Sequence, residues 1–256
     1  MTITKLFKLL KDTVSLSNIT QSGEVSTSLY EDDFNEHWLI NQNIYMDEIS
    51  IKKRYNPWNK VAELYQEKFM DLTLYNDSYD LFCNELKKQN SGVLEIGCGP
   101  GNISKYLLSK RNDLKITGID IAPAMIKLAK VNNPAAEFFE LDIRSLNQIE
   151  KRFEGIIGGF CLPYLSGDDC LKLFNDCRNL LSDDGILYLS YIEGDGKSDY
   201  LTGSSGHRTY FYDHQLHNIK DQLKEHDFEI ARTLQKDFNN NGTDEVHTIL
   251  IAKKTA

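Results

Sequence analysis

Three glycines at alternating positions, Gly97, Gly99 and Gly101, separate the apolar run Val93-Leu-Glu-Ile96 from a stretch with helical spacing that begins at Asn102. Glycines in such a place permit a tight turn and leave bare backbone against which a ligand can lie. The first turn of the following helix adds free N–H groups and a positive dipole, which suit a carboxylate or a phosphate. Acids accompany the loop. Glu95 lies inside the apolar run, Asp120 closes Gly118-Ile-Asp120, and Asp142 follows Glu140-Leu141. A dinucleotide fingerprint, G-x-G-x-x-G, would need a third glycine at position 102, where Asn102 stands. A phosphate-binding loop would need Gly-Lys-Ser/Thr, and none follows.

These residues need elements to hold them, and the hydrophobic pattern supplies candidates. Trp58, Val61, Ala62, Tyr65 and Phe69 recur at helical spacing over 58–70, and a second helix is expected over 77–89. Strands are expected over 92–97, 114–120, 136–141, 153–161 and 185–191. Helices over 102–110, 122–131, 167–181 and 213–226 alternate with them. Pro123 sits just inside the start of one helix, where its missing N–H costs nothing. The alternation implies βαβ units and a doubly wound, mostly parallel sheet. Strands over 229–237 and 245–253 are joined through Asn239-Asn-Asn-Gly242, a hairpin that forces one antiparallel strand. The expectation is an α/β fold with a seven-stranded sheet, an antiparallel C-terminal hairpin strand and an N-terminal helical cap. Residues 1–57, polar and without a strong strand pattern, are expected to form an extension or lid. Residues 58–256 form the main domain, with 193–212 as an insert on the acceptor side.

Composition bounds the rest. At about 100–200 residues per domain, 256 residues make one large domain or one domain with an appendage. Hydrophobic residues are 41% and charged residues 26%, a globular mix that excludes global disorder and collagen-like repeats. No apolar run reaches the roughly 18 residues of a membrane span. The N-terminus lacks a secretory pattern, so a cytoplasmic protein is expected. The five cysteines, Cys83, Cys98, Cys161, Cys170 and Cys177, form no CxxC, which favours reduced thiols over disulfides or zinc. A net charge of −9 with no basic run longer than Lys52-Lys-Arg54 disfavours a nucleic-acid partner.

Glu95-Ile-Gly-Cys-Gly-Pro-Gly101 resembles the first motif of class I S-adenosylmethionine-dependent methyltransferases, E/D-x-G-x-G-x-G, and the resemblance extends over about 58–254. It implies S-adenosylmethionine as cofactor and S-adenosylhomocysteine as product. It implies that Asp120, 19 residues after Gly101, accepts from both ribose hydroxyls, since an ionised carboxylate has two acceptor oxygens. Asp142 would accept from the adenine amino group, with the Ile143 backbone N–H at a ring nitrogen. Glu95 would work near the amino group of the cofactor, and Phe160 would pass beside its methionine part. Gly97, Cys98, Gly99, Gly101, Asn102, Ile121 and Met125 complete the implied cofactor set. Tyr65 is either an aromatic face over the methionine end, where a cation is favoured, or a core aromatic of its helix. Singly, Asp120 and Asp142 could equally be a helix cap and a turn residue.

The resemblance leaves the acceptor open. If an O–H or N–H⁺ is methylated, a base must take its proton. Candidates are His207, Tyr210 and Tyr164, with Arg208, Tyr212 and Tyr191 as further members of the set. His207 could equally be a solvent-facing loop residue. His214 and His217, three apart, read as surface residues rather than metal ligands. No metal is expected, because Phe160-Cys161 stands where magnesium-dependent relatives carry an acid. Asn/Asp-Pro-Pro-Tyr is also missing, and Cys161 reads as a small packed residue. The expected activity is methyl transfer to O or N of a small-molecule acceptor. The alternatives are a tRNA or protein methyltransferase and a non-catalytic binding protein.

Overall fold

A computed structural model describes residues 58–196, 198–202, 208–240 and 243–255. The expected 1–57 lid and His207 lie outside the described residues.

Seven strands form one sheet in the order β3-β2-β1-β4-β5-β9-β8. They are β1 (Gly92–Ile96), β2 (Lys115–Asp120), β3 (Glu137–Glu140), β4 (Phe153–Gly159), β5 (Leu181–Ile192), β8 (Phe228–Asn240) and β9 (Thr243–Lys254). The first five pair in parallel, and β9 runs antiparallel to both β5 and β8. The strand order reverses between β1 and β4, so their carboxyl ends open a crevice there. The central strands read as continuous apolar runs because both faces are covered. β1 is buried along its whole length.

Around the sheet pack helix α1 (58–69), α2 (Asn76–Glu85), α3 (Asn102–Lys110), α4 (Pro123–Asn132), α5 (Gly167–Leu180) and α6 (Leu216–Glu225). A core of Phe82, Leu107, Ile157 and Tyr188 fills one face of the sheet, and one of Leu94, Ile156, Phe174 and Leu187 fills the other. α5 begins with a reciprocal capping box between Ser166 and Asp169.

Several expected boundaries move, each for a local reason. α2 stops at Glu85 rather than 89. The Arg111 guanidinium binds the carbonyls of Leu86 and Lys88 at 3.0 and 2.9 Å, turning that segment out of the helix. The last helix starts at Leu216 rather than 213, because His214 is committed to an isolated bridge with Glu193. The 193–212 insert contains a separate antiparallel ribbon, β6 (Asp199–Thr202) with β7 (Arg208–Phe211), that the periodicity did not reveal.

Candidate functional site

The glycine loop leaves β1 and enters α3 through three left-handed residues, Gly97, Gly99 and Gly101, with φ of 66°, 52° and 81°. Gly101 is also required by space. A Cβ there would lie 2.4 Å from Nδ2 of Asn133, which donates to the Gly101 carbonyl at 2.9 Å. The loop is tied to β2. Cys98 N donates to the Ile119 carbonyl, and Gly99 N donates to Asp120 Oδ2 at 2.9 Å. Asp120 Oδ1 accepts from Ala122 N at 2.8 Å. Asp120 thus fastens the loop and the entry to α4, with acceptor capacity remaining on its carboxylate. Burial pushes its carboxyl up to about 6, although the backbone donors pull the other way.

Glu95 is the more unusual acid. It is 1% exposed, and Ser104 donates both its backbone N–H and its hydroxyl to Oε2. Oε1 is equally buried and accepts no hydrogen bond. Burial pushes the carboxyl up to about 8, against the pull of the Ser104 donors and with a smaller push from Asp120. A buried acceptor without a donor carries the desolvation cost of its isolation. Its natural complement is a cationic donor in the adjoining cleft.

That cleft is lined by the motif residues Glu95, Gly97, Cys98, Gly99 and Asn102, by Tyr75, Phe160, Phe238 and His247, and by Tyr65 and Phe69 of α1. Helix α1 is docked by specific bonds. Asn59 Oδ1 accepts from Ala124 N at 2.8 Å, capping the start of α4, which has no side-chain cap of its own. Gln66 Oε1 accepts from Asn132 Nδ2, whose amide also reaches the Pro100 carbonyl. This docking holds Tyr65 3.7 Å from the Cβ position of Gly99. Burial raises the Tyr65 phenol well above its usual value, so it stays neutral. Met125 is 2% exposed beneath Trp58 and Tyr65, which makes it part of the packing under α1.

The remaining sequence candidates fall in several places. Asp142 caps the short 3₁₀ turn Ile143–Gln148 and is gripped by Arg144, whose Nη1 reaches its two oxygens at 2.9 and 3.0 Å. Arg144 also donates to the Tyr164 carbonyl and lies 3.3 Å from Asp169. The Tyr164 ring is packed edge-on against Trp58 and Phe211. Tyr210 donates to the Ser198 carbonyl at 3.3 Å and packs on Tyr212. Tyr191 is fully buried with its ring edge on His214. His214 is a correction to the surface reading. It is half-buried and its Nε2 lies 2.9 and 3.1 Å from the carbonyls of Leu162 and Leu165, so it braces that turn. His217 is exposed on α6. All five cysteines are buried free thiols. Among the described residues no cluster of His, Cys, Asp or Glu could hold a metal ion.

His247 and Tyr75 are among the cleft residues that escaped the sequence reading. His247, 2% exposed on β9, has Nδ1 2.6 Å from the Tyr75 hydroxyl and Nε2 3.2 Å from Glu245 Oε2. Its ring stacks on Phe238 and meets Phe160 edge-on. Phe160 itself holds a left-handed φ of 56°, a conformation a bulky residue adopts only under constraint. A signal for the pair existed in Glu245-Val-His247, since residues two apart on a strand share a face.

A family model described as a methyltransferase domain matches residues 93–185, from β1 into β5. Malonyl-[acyl-carrier protein] O-methyltransferase 1 of Ilyobacter polytropus is 29% identical over 164 residues, covering 62% of this chain and 55% of that one. Trans-aconitate 2-methyltransferase of Escherichia coli is 38% identical over 95 residues, covering 37% and 36% respectively. The chain thus spans about half, or less, of the length of these curated relatives. The crystal structure of Burkholderia thailandensis 1,6-didemethyltoxoflavin-N1-methyltransferase with S-adenosylhomocysteine superposes with a TM-score of 0.57 at 18% identity, over 90% of this chain and 94% of that one. The fold is the Rossmann-like fold of methyltransferases. Residues 93–185 thus match a methyltransferase domain, and the relatives and solved structures that the chain resembles are methyltransferases, among them S-adenosylmethionine-dependent ones, so S-adenosylmethionine is the cofactor to test against the site.

The residues present fit that cofactor. The orphaned Glu95 Oε1 meets the need of an ammonium group, and Asp120 keeps acceptor capacity for hydroxyls. The faces of Tyr65, Phe69 and Phe160 in the same cleft suit a sulfonium cation.

Proposed function

We propose that the protein is an S-adenosylmethionine-dependent methyltransferase that methylates an oxygen or nitrogen of a small-molecule acceptor in the cytoplasm. The observation that carries this reading is Glu95, a buried carboxylate with one oxygen unpartnered at the wall of a cleft formed by the glycine loop. S-adenosylmethionine, when bound, supplies a methyl group on a positively charged sulfur that becomes neutral as the methyl leaves.

This chain's residues do the rest. The loop offers backbone along its length, and Asp120 offers its remaining lone pairs to a diol. Glu95 holds a cationic amino group and is itself held by Ser104. Asp142, Ile143, Ile121 and Asn102 would meet the adenosine, and Asp142 is fixed by Arg144. The aromatic rings exclude water and leave the cleft open to an in-line approach, for which alignment is the main contribution of a protein. One relative above is named as an O-methyltransferase of malonyl-[acyl-carrier protein] and another as a methyltransferase of trans-aconitate, which supports an oxygen acceptor over a nucleic acid. The net charge of −9 argues against tRNA, and the insert 193–212 would face the acceptor.

The test is equilibrium binding of S-adenosylmethionine and S-adenosylhomocysteine, followed by transfer of a labelled methyl group to a panel of small hydroxy, carboxy and amino compounds. Binding of both with label transfer to one compound class is the expected result. Binding without transfer to any compound, but with transfer to tRNA or protein, would move the acceptor to the macromolecular class.

A further inference from the structure

Tyr75 and His247 line the cleft that the glycine loop also lines, Glu245 is bonded to His247, and the cofactor motif uses none of the three. They come from two distant parts of the chain. Tyr75 immediately precedes α2, His247 lies on β9 opposite Ile192 of β5, and Glu245 lies two residues before it on the same strand face. The Glu245 carboxylate only accepts, so Nε2 carries the ring hydrogen and Nδ1 is left to accept from the Tyr75 hydroxyl. The tautomer is thereby fixed by two bonds of opposite sense. Hydroxyl, imidazole and carboxylate in this order form a path along which a proton moves one way, away from the cleft and towards Glu245.

We propose that Tyr75, His247 and Glu245 are the proton-accepting relay of this cleft, and that the acceptor is a flat aromatic compound bearing an ionisable hydroxyl. The proposal rests on the methyltransferase reading above. Its proton balance is simple. The O–H bond of the acceptor breaks and its proton passes to Tyr75 Oη. The proton of Tyr75 passes to His247 Nδ1, and the acceptor oxygen keeps the electron pair that attacks the methyl carbon. The resulting imidazolium is held by Glu245 until it gives its proton to water.

Other features agree with a working relay rather than a packing device. The surroundings of His247 are apolar rings, Phe160 edge-on and Phe238 stacked, at centroid distances of 5.2 and 5.0 Å. These rings leave Glu245 as the anion that compensates an imidazolium. The register partner of His247 on β8, Lys236, is bonded to Asp77 at 2.8 Å. Burial raises the Tyr75 phenol well above its usual value, with smaller contributions from Tyr188, Tyr65 and Glu245. A standing tyrosinate is therefore excluded, and Tyr75 serves as a conduit while His247 stores the proton. The same rings with Tyr79 present flat faces, which favour an aromatic acceptor through offset or edge contacts. A carboxylate acceptor would carry no proton to remove and would meet Glu245 nearby. The Tyr210 hydroxyl is engaged elsewhere, donating to the Ser198 carbonyl.

The probe is para-nitrophenol, whose phenolate is coloured, added to the full chain saturated with S-adenosylhomocysteine. No methyl transfer is needed for the readout. Calorimetry first establishes that S-adenosylhomocysteine binds; absence of that binding would overturn the cofactor reading itself. Near the midpoint of the free probe, the bound probe is expected to show a phenolate-to-phenol ratio about tenfold above that in water, one unit of ionisation midpoint. His247→Phe and Tyr75→Phe are expected to abolish the excess, and Glu245→Gln to reduce it, with S-adenosylhomocysteine affinity unchanged within about twofold. Burial alone would push the ratio the other way, because it disfavours the charged form. Two results overturn the proposal. One is an excess that survives in both His247→Phe and Tyr75→Phe. The other is failure of the probe to bind, or to ionise, on a wild-type protein that holds S-adenosylhomocysteine. Tyr75→Phe removes a single oxygen, so it keeps the test decisive if His247→Phe does not fold.

Discussion

The two walls of the cleft are built on different principles. The cofactor wall is local: Glu95, the three glycines and Asp120 come from one βαβ unit, and backbone N–H groups hold their geometry. The opposite wall is assembled across the chain. Tyr75 and His247 are 172 residues apart, Phe160 follows the end of β4, and Phe238 lies on β8. One wall is fixed by hydrogen bonds within a motif, the other by tertiary packing of the sheet. The first can be inherited as a unit, while the second varies with whatever the outer strands bring to it, so binding and specificity can change independently.

Substitutions should separate the walls. The largest effect on the cofactor wall is expected from Asp120→Ala. It strands the N–H groups of Gly99 and Ala122 and removes the acceptor for the hydroxyls, weakening S-adenosylhomocysteine by about 1–3 kcal/mol, or roughly fivefold to 150-fold. Titration calorimetry reads this directly, and unchanged affinity would remove Asp120 from the site. The matching change on the other wall, Tyr75→Phe, should leave that affinity alone and lower turnover on a hydroxyl acceptor by about a hundredfold. Equal loss of binding would erase the distinction between the walls.

pH provides a second handle. The Glu95 and Asp120 carboxyls are pushed up to about 8 and 6, and a cationic ligand prefers both ionised. Affinity should therefore rise with pH through 6 and 8 and level off above, with protons released on binding. Calorimetry in buffers of different ionisation enthalpy measures that release, and Glu95→Gln should abolish the upper part. The ligand-free protein shows the opposite trend. A carboxyl whose folded value lies above its unfolded one favours the fold at low pH. Stability should thus fall as pH rises from about 4.5 through 8, and Glu95→Gln should flatten that fall. The smallest effect is expected from Asp142→Asn, about threefold to tenfold in cofactor affinity. Arg144 already occupies both oxygens of Asp142, so less of that carboxylate is available to a ligand.

The same contrast explains what could be read from the sequence. The glycine spacing and the acids after short apolar runs were visible because strand, turn and helix follow one another within a few residues. The sheet, its order of strands and helices, and the C-terminal hairpin followed from periodicity. Arg111 as the terminator of α2 and Asn59 as the cap of α4 were not visible, since each acts on a helix distant in sequence. His214 looked like a surface residue because nothing near it in sequence announces the carbonyls of Leu162 and Leu165. His247 and Glu245 lie on a strand whose apolar neighbours disguised them, and Tyr75 becomes their partner only once β9 inserts beside β5.

The most direct test of the central claim is calorimetric titration of the full chain with S-adenosylhomocysteine at pH 7, repeated in two buffers of different ionisation enthalpy. Micromolar binding with net proton release, lost in Glu95→Gln, is the predicted result. Absence of binding, or binding with no proton release and no dependence on Glu95, would contradict it.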